Sequence, residues 1–335
     1  MKTVHITRAN FPGIGNFSWF NYFVGILSKK YMIVLDSLEP DIVIYTNQYY
    51  EIGGYDHLTH DVLRGEEDYN WRDFKKVFIS GEARPDYQSR LDKGHYCLGY
   101  EHIDHPNYLR FPSYVLDAFV LYDEGRMFAD PFSWLTMPRR ESKRNWWTNM
   151  YQELGMSVVQ LSNNPDRDKM YDAIEKSGVI PIRSTGPWRG NMGGDNPLNP
   201  HQYHRGGRYM GRIDGLTYRD KVNFFSNYLF NMAFQYTNTD YLTQEKIIHA
   251  FAADTIPVFY GNQFIEDEGF NPNAFINCHR FSNFEEVAGF MAELVLKSDN
   301  MVSNILREPI FVGNKLPDYF NDEYVLSFFE KIIEL

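Results

Sequence analysis

Residues 241–261 read YLTQEKIIHAFAADTIPVFYG, and this stretch decides the fold class. Apolar residues recur at helical spacing along one face, namely Ile247, Ile248, Phe251 and Ala252. Thr243 precedes them and is the expected N-cap of the helix. An apolar run then covers residues 256–260 and ends at Gly261. This pattern predicts a helix followed by a buried strand, which ends where the backbone can approach a ligand closely.

Lys246 falls in the first turn of this predicted helix, where the helix dipole favours anions and disfavours a cation. A lysine beside the N–H groups of a helix start is explained if an external anion, such as a phosphate, lies between them. The alternative is a solvated lysine on the exposed face of an amphipathic helix. The residues of this stretch leave both interpretations open.

The composition indicates a globular protein of about two domains. The chain has 335 residues, of which 43% are hydrophobic. Its net charge of −11 argues against nucleic acid or an anionic membrane as the main partner, so any anion site must be local. Cys97 and Cys278 are too few for a disulfide framework or a thiolate metal cluster. The chain starts on a strand pattern without a signal peptide and lacks a membrane-spanning apolar run, which favours a cytoplasmic soluble protein without a transmembrane segment.

Strand patterns alternate with helices and loops in the first half of the chain. Strands are predicted at residues 3–7, 31–35, 41–45, 76–80 and 95–100, and the short apolar runs at 31–35 and 41–45 are typical of parallel strands covered on both faces. Ser18 is the expected cap of a helix that follows the first strand. The alternation predicts a doubly wound α/β domain, in which sites form at the C-terminal ends of the strands. Glu82 and Glu101 occupy such positions, although most carboxylates of this kind are solvated or cap a helix.

A second α/β unit follows, with an unusual segment inside it. Strands are predicted at residues 157–161, 179–182 and 275–277, and helices at 168–176, 284–296, 300–307 and 322–335. Residues 183–221 are rich in glycine and carry seven basic and three acidic residues, a local charge of +4. A long irregular segment in a compact domain is usually functional or disordered. Its positive charge in an acidic protein favours a role in gripping phosphate or covering a sugar.

Familiar short motifs are weak or absent. Gly13 and Gly15 are only a fragment of a dinucleotide fingerprint, since no third glycine follows at the required spacing. The pairs His102/His105 and His201/His204 have a metal-ligand spacing but lack a third ligand, which favours surface histidines. The residues by themselves therefore predict two α/β domains that bind an anionic ligand between them.

Several stretches in collinear order, from about residue 76 to 296, resemble the family 10 glycosyltransferases, the α-1,3/1,4-fucosyltransferases, and in particular their short bacterial members. The clearest likeness is Tyr241-x-Thr-x-Glu-Lys246, followed by Thr255-Ile-Pro257 and Gly261. Further similar segments lie at residues 80–82, 99–100, 108–112, 162–167, 225–231 and 270–277.

The resemblance implies the GT-B architecture, in which two doubly wound Rossmann-like domains face a central cleft. It also implies the transfer of L-fucose from GDP-fucose, with inversion, to a hydroxyl of an oligosaccharide or polysaccharide acceptor, with an α-1,3 linkage. Residues 1–150 would form the acceptor domain, 151–310 the GDP-sugar donor domain, and 311–335 a C-terminal helical segment. No tightly bound cofactor and no divalent metal are expected.

The resemblance also assigns roles to individual residues. Glu82 matches the general base that deprotonates the acceptor hydroxyl. The donor side would comprise Arg167, Asn191, Tyr241, Glu245, Lys246 and Gly261. Within this set, Arg167 and Lys246 match residues that hold the diphosphate, and Glu245 matches a carboxylate that accepts hydrogen bonds from sugar hydroxyls. Trp188 and Arg189 would contact the acceptor or the donor.

The chain departs from the family pattern at the donor side. The family's Tyr-Val-Thr-Glu-Lys is one residue longer here because of Gln244, and the alignment of Glu245 and Lys246 rests on the two isoleucines that follow. Leu229, Gln235 and Tyr236 replace a lysine, a glutamate and an asparagine. The alternatives to a fucosyltransferase are therefore a transferase for another GDP-hexose, and a catalytically silent GT-B protein that binds a nucleotide sugar or a glycan.

Overall fold

The computed structural model describes residues 1–9, 14–35, 40–46, 74–80, 85–125, 131–137, 153–159, 164–185, 189–192, 218–297 and 299–334. They form two compact units, one made of Met1–Val120 with Asp318–Leu335 and the other of Leu121–Pro317. Each unit contains one sheet in which all strand pairs are parallel. The α/β class predicted from the alternating pattern is confirmed. The assignment of an acceptor domain and a donor domain stays a prediction.

The strands in the described residues are β1 Thr3–Ala9, β2 Met32–Leu35, β3 Ile42–Thr46, β4 Lys75–Ile79, β5 Tyr96–Gly99, β6 Tyr108–Arg110, β7 Glu153–Val159, β8 Ile182–Thr185, β9 Tyr228–Phe234, β10 Ile256–Tyr260 and β11 Ile276–Asn277. The α-helices are α1 Ile14–Leu27, α2 Tyr87–Asp92, α3 Tyr114–Gly125, α4 Pro165–Ser177, α5 Tyr218–Phe225, α6 Glu245–Ala252, α7 Phe284–Lys297, α8 Asp299–Arg307 and α9 Asp322–Glu334.

The sheet of the first unit has the strand order β2-β1-β3-β4-β5-β6. Every residue of the inner strand β3 is buried, as its apolar run predicts. Strand β2 was expected to be buried on both faces, and this is wrong, because β2 is an edge strand and Met32 is 55% exposed. Ser18 does not cap α1, since that helix already begins at Ile14.

Helix α9 belongs to the first unit although it lies at the far end of the sequence. The rings of Phe23 and Phe329 are 5.6 Å apart, which packs α9 against α1. Two lysines of the unit donate to carbonyl groups of this helix, Lys2 to Ile333 at 2.9 Å and Lys75 to Ile332 at 2.5 Å. The predicted C-terminal helix thus completes the core of the unit that holds the N-terminus.

The sheet of the second unit has the order β11-β10-β9-β7-β8, so β9 is its central strand. Helices α4 and α7 cover the core on this sheet, which includes Val158, Phe230 and Val258. Strand β8 was predicted at residues 179–182 and lies later. Gly178, with φ of 64°, ends α4, and the chain needs the next three residues to reach the sheet.

Candidate functional site

The carboxyl end of the central strand β9 is where the candidate donor-side residues meet. In parallel α/β sheets, ligand sites form at this end of the strands. Helix α4 begins beside it, and the turn that precedes α6 passes over it. The carbonyl groups of Phe234 and Tyr236, at and just after the end of β9, accept hydrogen bonds from residues at the start of α4, and the side chain of Gln235 contacts the turn before α6.

Arg167 lies in the first turn of α4. Asn164 caps this helix, because its Oδ1 accepts from the backbone N–H groups of Asp166 at 2.9 Å and Arg167 at 3.4 Å. The Arg167 side chain is buried, and its Nη2 donates to the carbonyl oxygen of Phe234 at 3.1 Å. Burial lowers the pKa of Arg167, and the negative charge of Glu245 opposes that shift. The two predicted ligands therefore interact electrostatically, and the guanidinium stays charged.

Helix α6 begins at Glu245, and its N-cap residue is Gln244, which makes no side-chain capping bond within the described chain. The prediction that Thr243 is the N-cap is wrong. Thr243 is fully buried, and its Oγ1 accepts from Asn262 Nδ2 at 3.1 Å. The predicted helix face and the buried strand are confirmed, since Ile247, Ile248, Phe251 and Ala252 are buried and β10 spans residues 256–260.

Glu245 and Lys246 form an adjacent pair at the start of α6. Lys246 Nζ lies 3.3 Å from Glu245 Oε1, and the two side chains are only 21% and 24% exposed. This partial burial disfavours the interpretation of Lys246 as a solvated surface lysine. Burial by itself raises the pKa of Glu245, but the positive charges of Lys246 and Lys221 outweigh it and hold that pKa at about 2. The carboxylate is therefore ionised at every physiological pH.

Lys221 and His249 are members of this cluster that the sequence analysis did not single out as site residues. Lys221 is on α5, and its Nζ is 5.3 Å from the centroid of the Tyr218 ring. His249 is one helical turn after Glu245, is buried, and packs edge-on against Tyr218 at 4.4 Å. Burial and then the charge of Lys221 lower the pKa of His249 to about 3. Glu245 and His249 are four residues apart, a spacing that places two side chains on the same face of a helix and that the sequence contains. Lys221 comes from a different helix, so its proximity could not be inferred in this way.

Tyr241 is held in a left-handed backbone conformation, with φ of 60°. Such a conformation costs a residue other than glycine about 1–2 kcal/mol. Its backbone N–H donates to Asn262 Oδ1 at 2.8 Å, and its ring stacks on Phe264 at 4.8 Å. These contacts fix the turn that leads into α6. The assignment of Tyr241 to a donor pocket stays a prediction.

Gly261 follows β10 and lies against the side chain of Gln235. The space that a β-carbon would occupy is filled by the side chain of Gln235, whose atoms would lie 2.4–2.7 Å from it. The glycine therefore makes room for a side chain of the protein. Its contact with a ligand stays a prediction.

Asn191 and Arg189 lie on the short described segment that follows β8. The side chain of Asn191 accepts from the N–H of Ser184 at 3.0 Å and donates to the carbonyl of Ile182 at 2.9 Å. Arg189 pairs with Asp168, at 2.9 Å, and with Asp172 on α4. Both predicted ligand residues are thus engaged within the protein, and their roles toward a donor or acceptor stay predictions. Glu82 and Trp188 lie outside the described residues.

The arrangement at the end of β9 is suited to an anion that carries hydroxyl groups. Arg167, Lys246 and Lys221 supply positive charge, and two helices begin there with their positive dipole ends. The ionised Glu245 is an acceptor-only group and would bind hydroxyl donors. In the described ranges no group of three or more His, Cys, Asp or Glu residues is placed to hold a metal ion. None of the helices described here has the length and apolar character needed to cross a membrane.

Known proteins resemble this chain in sequence. Residues 152–304 match the model of the glycosyltransferase family 10 (fucosyltransferase) C-terminal domain. The α-(1,3)-fucosyltransferase FucT of Helicobacter pylori is 24% identical over 277 residues, which are 79% of this chain and 54% of the relative. The chain thus spans about half the length of the curated relative that it matches.

Solved structures are similar in fold to this chain. A crystal structure of α1,3-fucosyltransferase matches with a TM-score of 0.67 at 22% identity, over 100% of this chain and 91% of the other. A crystal structure of α1,3-fucosyltransferase with GDP-fucose matches with a TM-score of 0.65 at 22% identity, over 100% and 92%. These matches confirm the GT-B fold. The chain therefore has the fold of these solved structures, and its residues 152–304 match the C-terminal domain of glycosyltransferase family 10 (fucosyltransferase).

Proposed function

We propose that this protein is an inverting α-1,3-fucosyltransferase that moves L-fucose from GDP-fucose to a hydroxyl of a glycan acceptor. The observation that carries the proposal is the meeting of Arg167, Glu245 and Lys246 at the carboxyl end of β9. These residues come from two helices, and all three lie inside the segment that matches the family 10 domain.

The charges of the cluster suit a nucleoside diphosphate sugar. Arg167 and Lys246 would bind the diphosphate and neutralise the charge that develops on GDP as it leaves. Glu245 would repel phosphate, so we assign it to the hydroxyls of the ribose or of the fucose. Lys221 helps to keep this carboxylate ionised. With two cations in this role, we expect turnover to persist when divalent metal is removed with EDTA.

The general base is assigned from the sequence resemblance. Glu82 would take the proton of the acceptor hydroxyl while the hydroxyl oxygen attacks the anomeric carbon. The bond from that carbon to the diphosphate oxygen breaks in the same displacement, which inverts the anomeric configuration. The acceptor glycan, the linkage and the cytoplasmic location stay predictions.

The three departures from the family pattern have different surroundings. Leu229 packs against the apolar core of the second unit, and Gln235 is buried with its side chain turned toward residues 242–244. Tyr236 is 61% exposed and interacts with the charge of Arg167. Tyr236 is therefore the departure that could contact a donor, and it supports the second candidate, a transferase for a related GDP-hexose.

A comparison of donors tests the proposal. Hydrolysis of GDP-fucose, GDP-mannose, GDP-rhamnose and GDP-L-galactose is measured without an acceptor, with UDP-glucose as the control. We expect GDP-fucose to have the highest kcat/KM. A preference of more than about tenfold for another GDP-sugar, about 1.4 kcal/mol in transition-state binding, would contradict the fucose assignment and leave a GDP-hexose transferase. Binding of GDP-fucose without hydrolysis or transfer would favour a catalytically silent protein.

A further inference from the structure

We infer that Gln235 is a positioning residue of the donor site, whose side-chain amide fixes the turn that sets Glu245 and Lys246 in place. What the pair binds rests on the function proposed above. The bonds themselves do not depend on that function.

The Gln235 amide lies between one acceptor and one donor of the turn. We assign the amide so that its Nε2 donates to the carbonyl oxygen of Leu242 at 2.7 Å and its Oε1 accepts from the backbone N–H of Gln244 at 2.8 Å. In the opposite orientation, Oε1 would accept from the N–H of Asn262 at 3.3 Å but face the Leu242 carbonyl. This orientation of the amide follows from its two partners. The side chain is 2% exposed, so water cannot replace either bond. A neutral amide serves both partners at any pH, whereas an ionised carboxylate is acceptor-only and leucine offers neither function.

The turn at residues 241–244 is held at every residue. Asn262 accepts from the N–H of Tyr241 at 2.8 Å and donates to the Thr243 hydroxyl at 3.1 Å. The Gln235 amide bonds to Leu242, which lies between Tyr241 and Thr243, and to Gln244, which follows Thr243. Gln244 is the N-cap of α6 and makes no side-chain capping bond of its own in the described chain. The start of the helix is therefore fixed from outside the helix.

Gln235 is itself fixed to the remainder of the site. Its backbone N–H donates to the carbonyl of Tyr260 at 2.8 Å. The carbonyl before it, of Phe234, accepts from Arg167, and the carbonyl after it, of Tyr236, accepts from Asn164 Nδ2 at 3.0 Å. One three-residue segment thus positions the buried arginine of α4 and the Glu245–Lys246 pair of α6. Movement of the Gln235 amide would change the distance between these charges.

The substitution Gln235→Glu separates a positioning role from simple packing. At pH 8.5 a carboxylate would face the Leu242 carbonyl without a proton to donate, and we expect GDP to bind about tenfold more weakly than to wild type, or about 1.4 kcal/mol. Burial raises the pKa of a glutamic acid. At pH 5.5 the protonated carboxyl can donate again, so affinity should return to within about twofold of wild type at the same pH.

The experiment is calorimetric titration with GDP at pH 5.5 and pH 8.5 for wild type, Gln235→Glu and Gln235→Leu, with thermal unfolding of each. Gln235→Leu keeps the volume and should bind weakly at both values of pH. If Gln235→Glu matches wild type at pH 8.5, or is as weak as Gln235→Leu at pH 5.5, the inference is wrong.

A second variant approaches the same amide from the other side. Gly261→Ala places a methyl group about 2.4 Å from the Gln235 side chain and should displace it. We expect the loss of GDP affinity at both values of pH, and unaltered affinity would contradict the inference. If wild type itself does not bind GDP, the proposed function fails. If wild type binds GDP and the pH response of Gln235→Glu is missing, only the positioning role fails.

Discussion

At the scale of single residues, the assignments of Glu82 and of the cluster around Glu245 rest on different kinds of observation. Glu82 rests on the sequence resemblance, while Arg167, Glu245 and Lys246 are brought together by the fold. Gln235 is proposed to act on this cluster through the turn that it contacts and not through the ligand. Predictions about charge, proton transfer and ionisation belong at this scale.

Glu82→Gln should abolish most turnover and leave donor binding nearly intact, because an amide keeps the shape of the side chain but cannot take a proton. Loss of a general base typically reduces the rate about 10²–10⁴-fold. The measurement is kcat for fucose transfer beside the GDP-fucose Kd. Glu101→Gln is the matched control, since burial raises the pKa of that carboxyl and it also follows a strand of the first unit. Near-normal kcat in Glu82→Gln would mean that Glu82 is not the general base.

Arg167→Ala and Lys246→Ala should each weaken GDP binding by about 10- to 100-fold, the size expected for a lost hydrogen bond between charged groups. Added salt should reduce the difference in GDP affinity between each variant and wild type. The reduction should be larger for the partly exposed Lys246 than for the buried Arg167. Titration calorimetry at two salt concentrations measures both effects. Lys169→Ala on the exposed face of α4 is the control and should bind GDP normally. If the GDP affinity of both site variants is unchanged, neither Arg167 nor Lys246 binds the diphosphate.

His249→Leu should make the protein less sensitive to mild acid. In the folded protein His249 is buried beside Tyr218, Lys221, Glu245 and Lys246, and its pKa is about 3 instead of 6.5. Below about pH 6.5 the unfolded chain takes up a proton at His249 more readily than the folded protein does. The free energy of unfolding is therefore unaffected by this group above about pH 6.5 and decreases as the pH falls toward 3.

The free energy of unfolding of wild type and His249→Leu is measured by denaturant titration between pH 7.5 and 4.5. Relative to the variant, wild type should lose about 1.4 kcal/mol per pH unit below pH 6. Parallel curves would show that His249 titrates normally. Within the described residues, His249 Nε2 has no hydrogen-bond partner, so we expect leucine at this position to leave no described hydrogen bond of that atom broken.

At the scale of elements, the sequence predicts which segments become helices and strands better than it predicts how they begin. The apolar spacing of residues 247–252 and the run 256–260 are local signals, and both elements lie where they were expected. The cap of α6 was missed because Asn262, which engages Thr243, is 19 residues away in sequence. The exposed edge position of β2 likewise depends on strand order, which local pattern does not contain.

Asn262→Ala should loosen the turn before α6. Asn262 is fully buried, and its side chain accepts from the N–H groups of Tyr241 and Phe264 and donates to Thr243. Leaving such groups unsatisfied costs about 1–3 kcal/mol each when they remain buried. We expect a lower melting temperature and weaker GDP binding, measured by thermal unfolding and calorimetry. Gln263→Ala, which removes one exposed bond to Asp240, is the control. Equal stability of the two variants would contradict this account of the turn.

At the scale of the whole molecule, the sequence predicts two α/β units but not how the chain is divided between them. The predicted boundaries treated the last 25 residues as a separate helical segment. Residues 318–335 return to the first unit, because the apolar face of α9 fits the surface made by α1. The complementarity of two helices about 300 residues apart is a tertiary property, and it leaves no local signal.

Phe329→Ala should destabilise the first unit by about 3–5 kcal/mol, as expected for a large cavity in a packed core. Phe329 is fully buried against Phe23, whereas Ser327 on the same helix is exposed and Ser327→Ala serves as the control. Hydrogen exchange should show the loss of protection in residues 1–120 at a denaturant concentration where the strands of the second unit remain protected. Simultaneous loss of protection in both units would mean that they unfold as one.

The interrupted first unit also constrains how the protein is made. On the ribosome, residues 121–317 emerge as one continuous segment and can fold as soon as they are free. The first unit, although its strands are synthesised earlier, must wait for residues 318–335 before α9 can cover Phe23. Until then the nascent chain carries an incomplete apolar core, which is a surface that chaperones recognise. The second half of the protein is therefore expected to reach its native structure before the first half does.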